Sequence, residues 1–199
     1  MYKILFMPRS KAYSEDIVLT RAMQVFWNHG YKATSVRLLE KEMGINQFSI
    51  YSSFSNKKKL FIESIRKYRE HVKKNVYYSL LQKDVGLAEL KVFLQSYAQG
   101  LNAGDGTKKG CLVVNTAAEV GNKDSDIAHE ISRYYDFIRD MLKTVLLNAV
   151  AKGEVPPDTD VEKQSSFFLG IMQGLSVATK TMDRNQLNDF ISIALKQIQ

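Results

Sequence analysis

The chain has 199 residues, 45% of them hydrophobic and 25% charged, and a formal net charge of +7. This composition fits one or two globular domains and excludes a disordered chain. Its single cysteine excludes an internal disulfide and a multi-cysteine metal cluster, and its longest apolar stretches are too short to span a bilayer. We therefore expect a cytoplasmic protein with no cofactor, no bound metal and no membrane partner.

The excess positive charge lies near the amino end. Residues 1–60 hold ten Lys and Arg against four Asp and Glu, whereas residues 61–199 are almost neutral. A concentrated positive field is typical of a protein that binds a polyanion, although a basic surface that only aids solubility gives the same counts. The first seven residues lack a small-residue cleavage site, so we expect a flexible tail or a misassigned start codon rather than a signal peptide.

The sequence predicts an all-α fold. No proline occurs between Arg9 and Val155, and alternation of β-branched residues is scarce. The first helix is predicted over residues 14–28, because Ser14 and the two acidic residues after it suit a helix N-terminus and apolar residues recur at helical spacing. Gly30 is predicted to end it.

Two short helices follow, joined by a glycine turn. We predict the first over residues 35–43, capped by Thr34, and the second over residues 46–54, anchored by Ile50. Gly44 suits the sharp turn between them, because glycine tolerates the left-handed conformation. The pattern describes a helix-turn-helix, whose second helix enters the major groove of DNA.

Polar and basic residues of the kind that contact DNA lie along this segment. Phosphate contacts need hydroxyls, amides and cations at fixed positions. The candidates are Thr34, Ser35, Arg37, Gln47, Ser49, Tyr51, Ser52 and Lys57. The alternative is that they are only the solvent-exposed side chains of a small helical subdomain.

The same segment resembles the N-terminal signature of the TetR/AcrR family of bacterial transcriptional regulators. The matching residues are Val25-Phe26, Gly30-Tyr31, Thr34-Ser35-Val36, Leu39, Met43-Gly44-Ile45, Ile50-Tyr51, Phe54, Asn56-Lys57 and Leu60-Phe61. Residues 110–119 are similar to a segment in one branch of that family. The resemblance implies a three-helix DNA-binding domain with a helix-turn-helix, here residues 1–60, and a larger helical ligand-binding and dimerisation domain, here residues 61–199.

The resemblance also implies roles for individual residues. Gln47, Phe48 and Ser49 open the recognition helix, where a Gln amide can bond adenine and a Phe ring can meet a thymine methyl. Tyr51, Ser52 and Lys57 match positions that contact phosphate, and Thr34 and Ser35 open the preceding helix, where the backbone meets the phosphodiester. Arg9 and Lys11 match a tail that reaches the neighbouring groove in some relatives.

Three residues depart from the family pattern. Phe48 stands where Gly, Ala or Pro is common, so no relative's operator sequence can be transferred to this chain. Ser53 replaces a usual aromatic residue. Glu40 replaces a small residue, and we expect its side chain to point to solvent.

The rest of the chain is predicted to form helices over residues 57–82, 86–102, 110–120, 125–152, 160–182 and 185–197. The resemblance implies that the last two pair with their copies in a second subunit. Gly170, Gly174 and Ala178 recur at every fourth position and form a stripe almost without side chains, flanked by Phe167 and Ile171. We expect this stripe in a dimer interface, although a contact within one chain would use it equally well.

A ligand pocket is implied by the family. Candidate lining residues with polar tips or apolar walls are Phe93, Tyr97, Asn115, Glu119, Tyr134, Phe168, Met172 and Gln173. Ordinary packing is the alternative for each of them. Cys111 fits either a sensing thiol or a small buried apolar side chain.

The function implied is a homodimeric repressor that a small-molecule effector releases from a palindromic double-stranded DNA operator. One alternative is a helical enzyme or small-molecule carrier that binds no DNA; another is a DNA-binding protein without a ligand. The sequence contains no HExxH, no GxSxG and no phosphate-cradling glycine loop, so we do not expect an enzyme.

Overall fold

The computed structural model describes residues 13–100 and 109–197, and within these ranges every regular element is helical. The prediction of an all-α fold is confirmed. The α-helices are α1 Glu15–His29, α2 Val36–Met43, α3 Gln47–Phe54, α4 Lys57–Asn75, α5 Leu87–Gly100, α6 Leu112–Glu119, α7 Ser125–Ala151, α8 Val161–Ala178 and α9 Arg184–Lys196. The predicted tail, with Arg9 and Lys11, lies outside the described residues.

One predicted helix is shorter than expected. The helix predicted over residues 57–82 ends at Asn75, and a short 3-10 turn, Tyr78–Leu81, follows it. The amides of Val76 and Tyr77 both donate to the Val72 carbonyl, at 2.9 and 2.8 Å, which closes the helix. The chain turns there, and Tyr77, which follows the end of the helix, is buried in the core.

Helices α1 to α3 and the first turns of α4 enclose an aromatic core. Phe26 of α1 meets Phe61 of α4 edge to face, with ring centroids 4.8 Å apart, and Tyr31 stacks on Phe61 at 4.7 Å. Such pairs stabilise by about 0.5–1.5 kcal/mol each beyond the area that they bury. This core fixes the three short helices as one unit.

Helix α4 joins this unit to the rest of the protein. Its later turns pack against α7, the longest helix, which also packs along most of α8. On the α4–α7 contact, Arg66 donates its Nε and Nη2 to the buried Glu130 Oε1 at 2.9 and 2.6 Å. A buried carboxylate requires such charged partners, so this pair fixes how α4 lies on α7. No helix in the described ranges is long and apolar enough to cross a membrane.

Candidate functional site

The α2–α3 pair forms a tight helix-turn-helix. Gly44 ends α2 in the left-handed conformation, at φ 72° and ψ 24°, and its amide donates to the Glu40 carbonyl at 3.0 Å. Arg21 of α1 donates to the Met43 carbonyl at 3.1 Å, so α1 holds the end of α2 from outside. The turn therefore has one shape, and α3 leaves it in a fixed direction.

Helix α3 has one buried and one exposed side. Ile50 is completely buried, whereas the Phe48 side chain is 82% exposed. A ring this exposed buries little area within the chain and is accessible to a partner. Gln47 is also exposed and lies beside Phe48 at the first turn.

Two side chains satisfy the amino end of α3. The Asn46 Oδ1 accepts from the Ser49 amide at 2.8 Å, and the Glu40 Oε1 accepts from the Gln47 amide at 2.6 Å. The expectation that Glu40 points to solvent was therefore wrong. A carboxylate at this position satisfies a backbone donor and complements the positive end of the helix dipole.

A tyrosine before α1 supports α3 from the side. The Tyr13 hydroxyl lies 3.2 Å from the Ser49 carbonyl, to which it donates, and 2.9 Å from the Ser53 Oγ. The small side chain of Ser53 thus gives Tyr13 a hydrogen-bond partner where the family usually has an aromatic residue. No local pattern predicts this contact, because Tyr13 and Ser53 are 40 positions apart in the chain.

The predicted DNA contacts are at least partly exposed, with one exception. Most are exposed or half-buried around α3 and the starts of α2 and α4: Ser35, Arg37, Gln47, Phe48, Ser49, Tyr51, Ser52 and Lys57. Thr34 is fully buried, and its hydroxyl donates to the Gly30 carbonyl at 2.6 Å. Ser35 caps α2 instead, accepting from the Leu38 amide at 3.1 Å. The predicted capping role of Thr34 was wrong, since its hydroxyl faces the preceding turn.

Lys57 opens α4 beside an aromatic ring. Its Nζ lies 4.8 Å from the centroid of the Tyr31 ring and 3.4 Å from the Lys32 carbonyl. Partial burial lowers the pKa of Lys57, and the Glu119 carboxylate opposes that shift. The stem is held in place while the ammonium stays near the surface.

A cavity of about 760 Å³ lies between α1, α4 and α5, with an aromatic floor and a polar rim. The floor residues are Trp27, Tyr68, Tyr77, Phe93 and Tyr97, and the polar rim residues are His71, Asn75, Ser79, Glu89 and Ser96. None of the described residues that line it is Lys or Arg. The volume suits a small organic molecule.

The structure brings only two of the predicted ligand residues to this cavity, Phe93 and Tyr97. Of the others, Phe168 and Met172 are core residues, and Gln173 bonds Tyr135. The Asn115 Nδ2 donates to the Lys109 carbonyl at 2.8 Å, and the Asn115 Oδ1 accepts from the Lys180 Nζ. Glu119 lies at the far end of α6 from the cavity, bonded to the α1–α2 connection. These predicted ligand residues lie on α6 and α8 and do not line the cavity.

Behind the floor lies a group of buried phenols around the single thiol. The Tyr77 and Tyr134 hydroxyls are 3.1 Å apart, and the Cys111 Sγ lies 3.6 Å from the Tyr134 hydroxyl. Burial raises the pKa of Tyr68, Tyr77, Tyr97 and Tyr134, so all four stay neutral at physiological pH. The deepest part of the cavity floor therefore carries phenol hydroxyl groups but no charge.

The two glycines of the small-residue stripe on α8 have different surroundings. A Cβ built on Gly174 would lie 3.4 Å from the Phe190 ring of α9, so this glycine admits α9 of the same chain. Around Gly170 no described atom lies within 4 Å of such a Cβ. Nearby apolar side chains remain exposed in this chain, Phe167 by 40% and Ile193 by 56%. Ile171 and Ala178 are half-buried.

Among the described residues no three His, Cys, Asp or Glu side chains come together as metal ligands. Cys111 is buried and unpaired with any other cysteine. Both observations concern residues 13–100 and 109–197 only.

Two protein-family models match the chain. A model described as bacterial regulatory proteins, tetR family, matches residues 18–63, which include α2 and α3. A model described as tetracyclin repressor-like, C-terminal domain, matches residues 86–194. Together they cover the helix-turn-helix unit and most of the larger helical part.

Individual proteins agree with these models. The chain is 30% identical over 174 residues to the HTH-type transcriptional repressor ComR of Escherichia coli K12, covering 86% of this chain and 82% of ComR. It is 27% identical over 194 residues to the HTH-type regulator YezE of Bacillus subtilis 168, covering 95% and 98% of the two chains. A structure of the TetR family regulator CifR, a cysteine mutant complexed with 26-bp double-strand operator DNA, superposes with a TM-score of 0.84 at 25% identity, covering 96% of this chain and 100% of that chain.

Proposed function

The chain belongs to the TetR family of bacterial transcriptional regulators, and from that membership we propose that it is a homodimeric repressor released from a palindromic operator by a small molecule. ComR is a repressor by name, and the CifR structure contains operator DNA. A regulator of this kind works in the cytoplasm, where the DNA is, and needs no catalytic step.

One observation carries the DNA-binding part of the proposal. The first turn of α3 presents an exposed amide and an 82% exposed ring, Gln47 and Phe48, while Ile50 anchors the opposite side. Such a turn matches the recognition helix of a helix-turn-helix, whose amino end reaches base edges in the major groove. In a twofold dimer, two such helices reach grooves roughly 34–36 Å apart.

Selection of bound sequences from random duplex DNA by the purified protein tests this proposal. We expect two copies of one half-site in inverted orientation, separated by one preferred spacing. Sedimentation equilibrium on the same preparation should give twice the mass of one chain. A protein that enriches no sequence, even at low salt, would contradict the proposal and favour the carrier or enzyme without DNA.

Base readout and phosphate contact predict different responses to substitution. We expect Gln47→Ala to change which base is preferred at one half-site position, at a cost of about 1–3 kcal/mol for the original base. Lys57→Ala should weaken operator and scrambled DNA alike and lower the salt dependence of log K by about 1. Fluorescence anisotropy at several salt concentrations measures both. An unchanged ratio of operator to scrambled binding in Gln47→Ala would refute the role of Gln47.

We also propose that the aromatic cavity holds the effector. Among the described residues its lining carries no Lys or Arg, one carboxylate, Glu89, and several aromatic rings, which favours neutral or cationic planar aromatic compounds over anions. To release the repressor, such a compound must bind the DNA-incompetent arrangement more tightly than the competent one.

The only tryptophan of the chain, Trp27, lines this cavity and reports on it. In a screen of planar aromatic compounds, we expect binders to change Trp27 fluorescence and to stabilise the protein by about 2.7 kcal/mol at a hundredfold excess over Kd. Ala88→Phe, at the cavity wall, should lower their affinity by about tenfold or more, since it fills the space. Ala118→Phe, exposed on α6, is the matched control. A screen without any binder would support the DNA-binding protein without a ligand.

A further inference from the structure

The carboxylate of Glu119 spans the junction between the two parts of the protein. Glu119 is the last residue of α6. Its Oε2 accepts from the Tyr31 amide at 2.9 Å and its Oε1 from the Lys32 amide at 2.6 Å. The Lys32 Nζ in turn donates to the Glu119 carbonyl at 3.0 Å. Three hydrogen bonds thus join the end of α6 to the connection between α1 and α2.

The stability of α6 itself does not explain this carboxylate. Negative charge at the last residue of a helix faces the negative end of the helix dipole, which is unfavourable. The Tyr31 and Lys32 amides, by contrast, lie in a turn and have no helical partner. Charge-assisted bonds to such amides are about twice as strong as neutral ones, so Glu119 acts on the turn and not on its own helix.

The turn is shaped to receive this side chain. Gly30 adopts φ +78°, and a Cβ at that residue would lie 2.8 Å from the Glu119 Oε2. Any other residue at position 30 would be strained in its backbone and would also displace the carboxylate. Tyr31 stacks on Phe61, so the turn moves together with the DNA-binding core.

The angle between the two parts is held by the packing of α4 on α7, where Arg66 bonds Glu130, and by contacts near the two ends of α6. The backbone passes from one to the other through α4 alone, so rotation about that helix is limited by side-chain contacts. Helix α6 supplies them at both ends: the Trp27 Nε1 donates to the Gly110 carbonyl at 2.9 Å just before α6, and Glu119 holds the turn after α1. On the surface, Lys58 lies 2.7 Å from Asp126 and 3.4 Å from Asp124, and exposed ion pairs of this kind are weak.

We propose that Glu119 is a positioning residue that sets which spacing between operator half-sites the dimer accepts. By fixing the helix-turn-helix unit on the larger helical part, it fixes the distance between the two recognition helices. The inference rests on the proposed function, since it presupposes a dimer that reads two half-sites. Glu119 itself touches no base in this account.

The test varies the spacer between two fixed half-sites, taken from the sequence selection, by one and two base pairs in each direction. The wild type should prefer one spacer. We expect Glu119→Ala to reduce the preference for that spacer over its neighbours by about fivefold or more, with the half-site sequence unchanged. Glu119→Asp keeps the charge but is too short to reach both amides, so it should relax the spacing in the same way. This separates geometry from repulsion between the carboxylate and DNA.

The matched control is Glu154→Ala. The Glu154 Oε2 accepts from the Leu87 amide at 2.6 Å, so the substitution removes a bond of the same kind inside the larger helical part. We expect it to leave the spacer preference unchanged. Where Glu119→Ala does not fold by circular dichroism, Glu119→Gln replaces it, since its amide oxygen still accepts one of the two donors and should relax the preference partly.

The outcomes distinguish the two proposals. Folded Glu119 variants with the wild-type spacer preference would overturn the positioning role and leave the repressor proposal intact. Equal relaxation in Glu154→Ala would also overturn it, because the effect would then be general loosening. A wild type that selects no inverted half-sites contradicts the proposed function and removes the basis of this inference with it.

Discussion

Alanine in place of Ile50 should lower the free energy of unfolding by about 2–5 kcal/mol, whereas alanine in place of Phe48 on the same helix should change it by less than about 0.5 kcal/mol. Ile50 is completely buried beneath α3, and its removal leaves a cavity in the core of the helix-turn-helix unit. The Phe48 ring is 82% exposed and has little packing to lose. Urea unfolding followed by circular dichroism measures both.

The order of the two effects should be reversed when operator binding is measured, with the larger loss at Phe48 and the smaller at Ile50. Phe48→Ala removes an apolar contact to a base and should weaken operator binding by about tenfold at unchanged stability. Ile50→Val, a milder change that keeps the unit folded, should leave binding near the wild-type value. If Phe48→Ala destabilises the protein as much as Ile50→Ala, the ring packs inside the protein and the proposed recognition surface is wrong.

The features that the sequence predicted well depend on neighbouring residues. Helices α1, α2 and α3 follow from local signals: Gly30 and Gly44 as breaks, polar residues at the starts, and apolar residues at helical spacing. The inward position of Ile50 follows from the same spacing. Local signals are also what the family signature consists of, which is why the fold class and the family were evident from the sequence.

The features that the sequence missed depend on contacts between distant residues. Glu119 lies 88 positions from Tyr31, whose amide it accepts from, and nothing near either residue indicates the pairing. The predictions for Glu40 and Thr34 were wrong for a related reason. Polarity suggests a surface role for both, whereas each side chain forms a hydrogen bond with a nearby backbone group in the fold. A polar residue becomes a structural one when an unpaired backbone group lies within reach.

The cavity shows the same limit. The sequence indicates Phe93 and Tyr97 as candidates, but the other aromatic residues of the cavity include Trp27 on α1 and Tyr68 on α4. A pocket formed across α1, α4 and α5 requires the packing of the helices, which periodicity does not specify. The consequence is functional, because Trp27 lines this cavity and its indole Nε1 donates a hydrogen bond to the Gly110 carbonyl, two residues before α6.

The second large effect concerns alkaline pH. Tyr68, Tyr77, Tyr97 and Tyr134 are buried, and burial raises the pKa of each phenol above the value of about 10 that it has in an unfolded chain. Above that pH the unfolded state loses these protons while the folded state keeps them. Stability is therefore fully present below pH ~10 and should fall by about 1.4 kcal/mol per pH unit per tyrosine, roughly 5 kcal/mol per unit for four.

Tyr77→Phe isolates one of these protons. We expect the slope of unfolding free energy against pH, measured by urea unfolding between about pH 10 and 11, to become shallower by about 1 kcal/mol per unit, since the unfolded phenol is only partly ionised at the start of this range. The lost hydrogen bond to Tyr134 shifts the whole curve but not its slope. Tyr78→Phe, at the next residue and 63% exposed, should leave the slope unchanged. An unchanged slope in Tyr77→Phe would mean that Tyr77 ionises as readily in the folded protein as in the unfolded chain, which would contradict the raised pKa of this buried phenol.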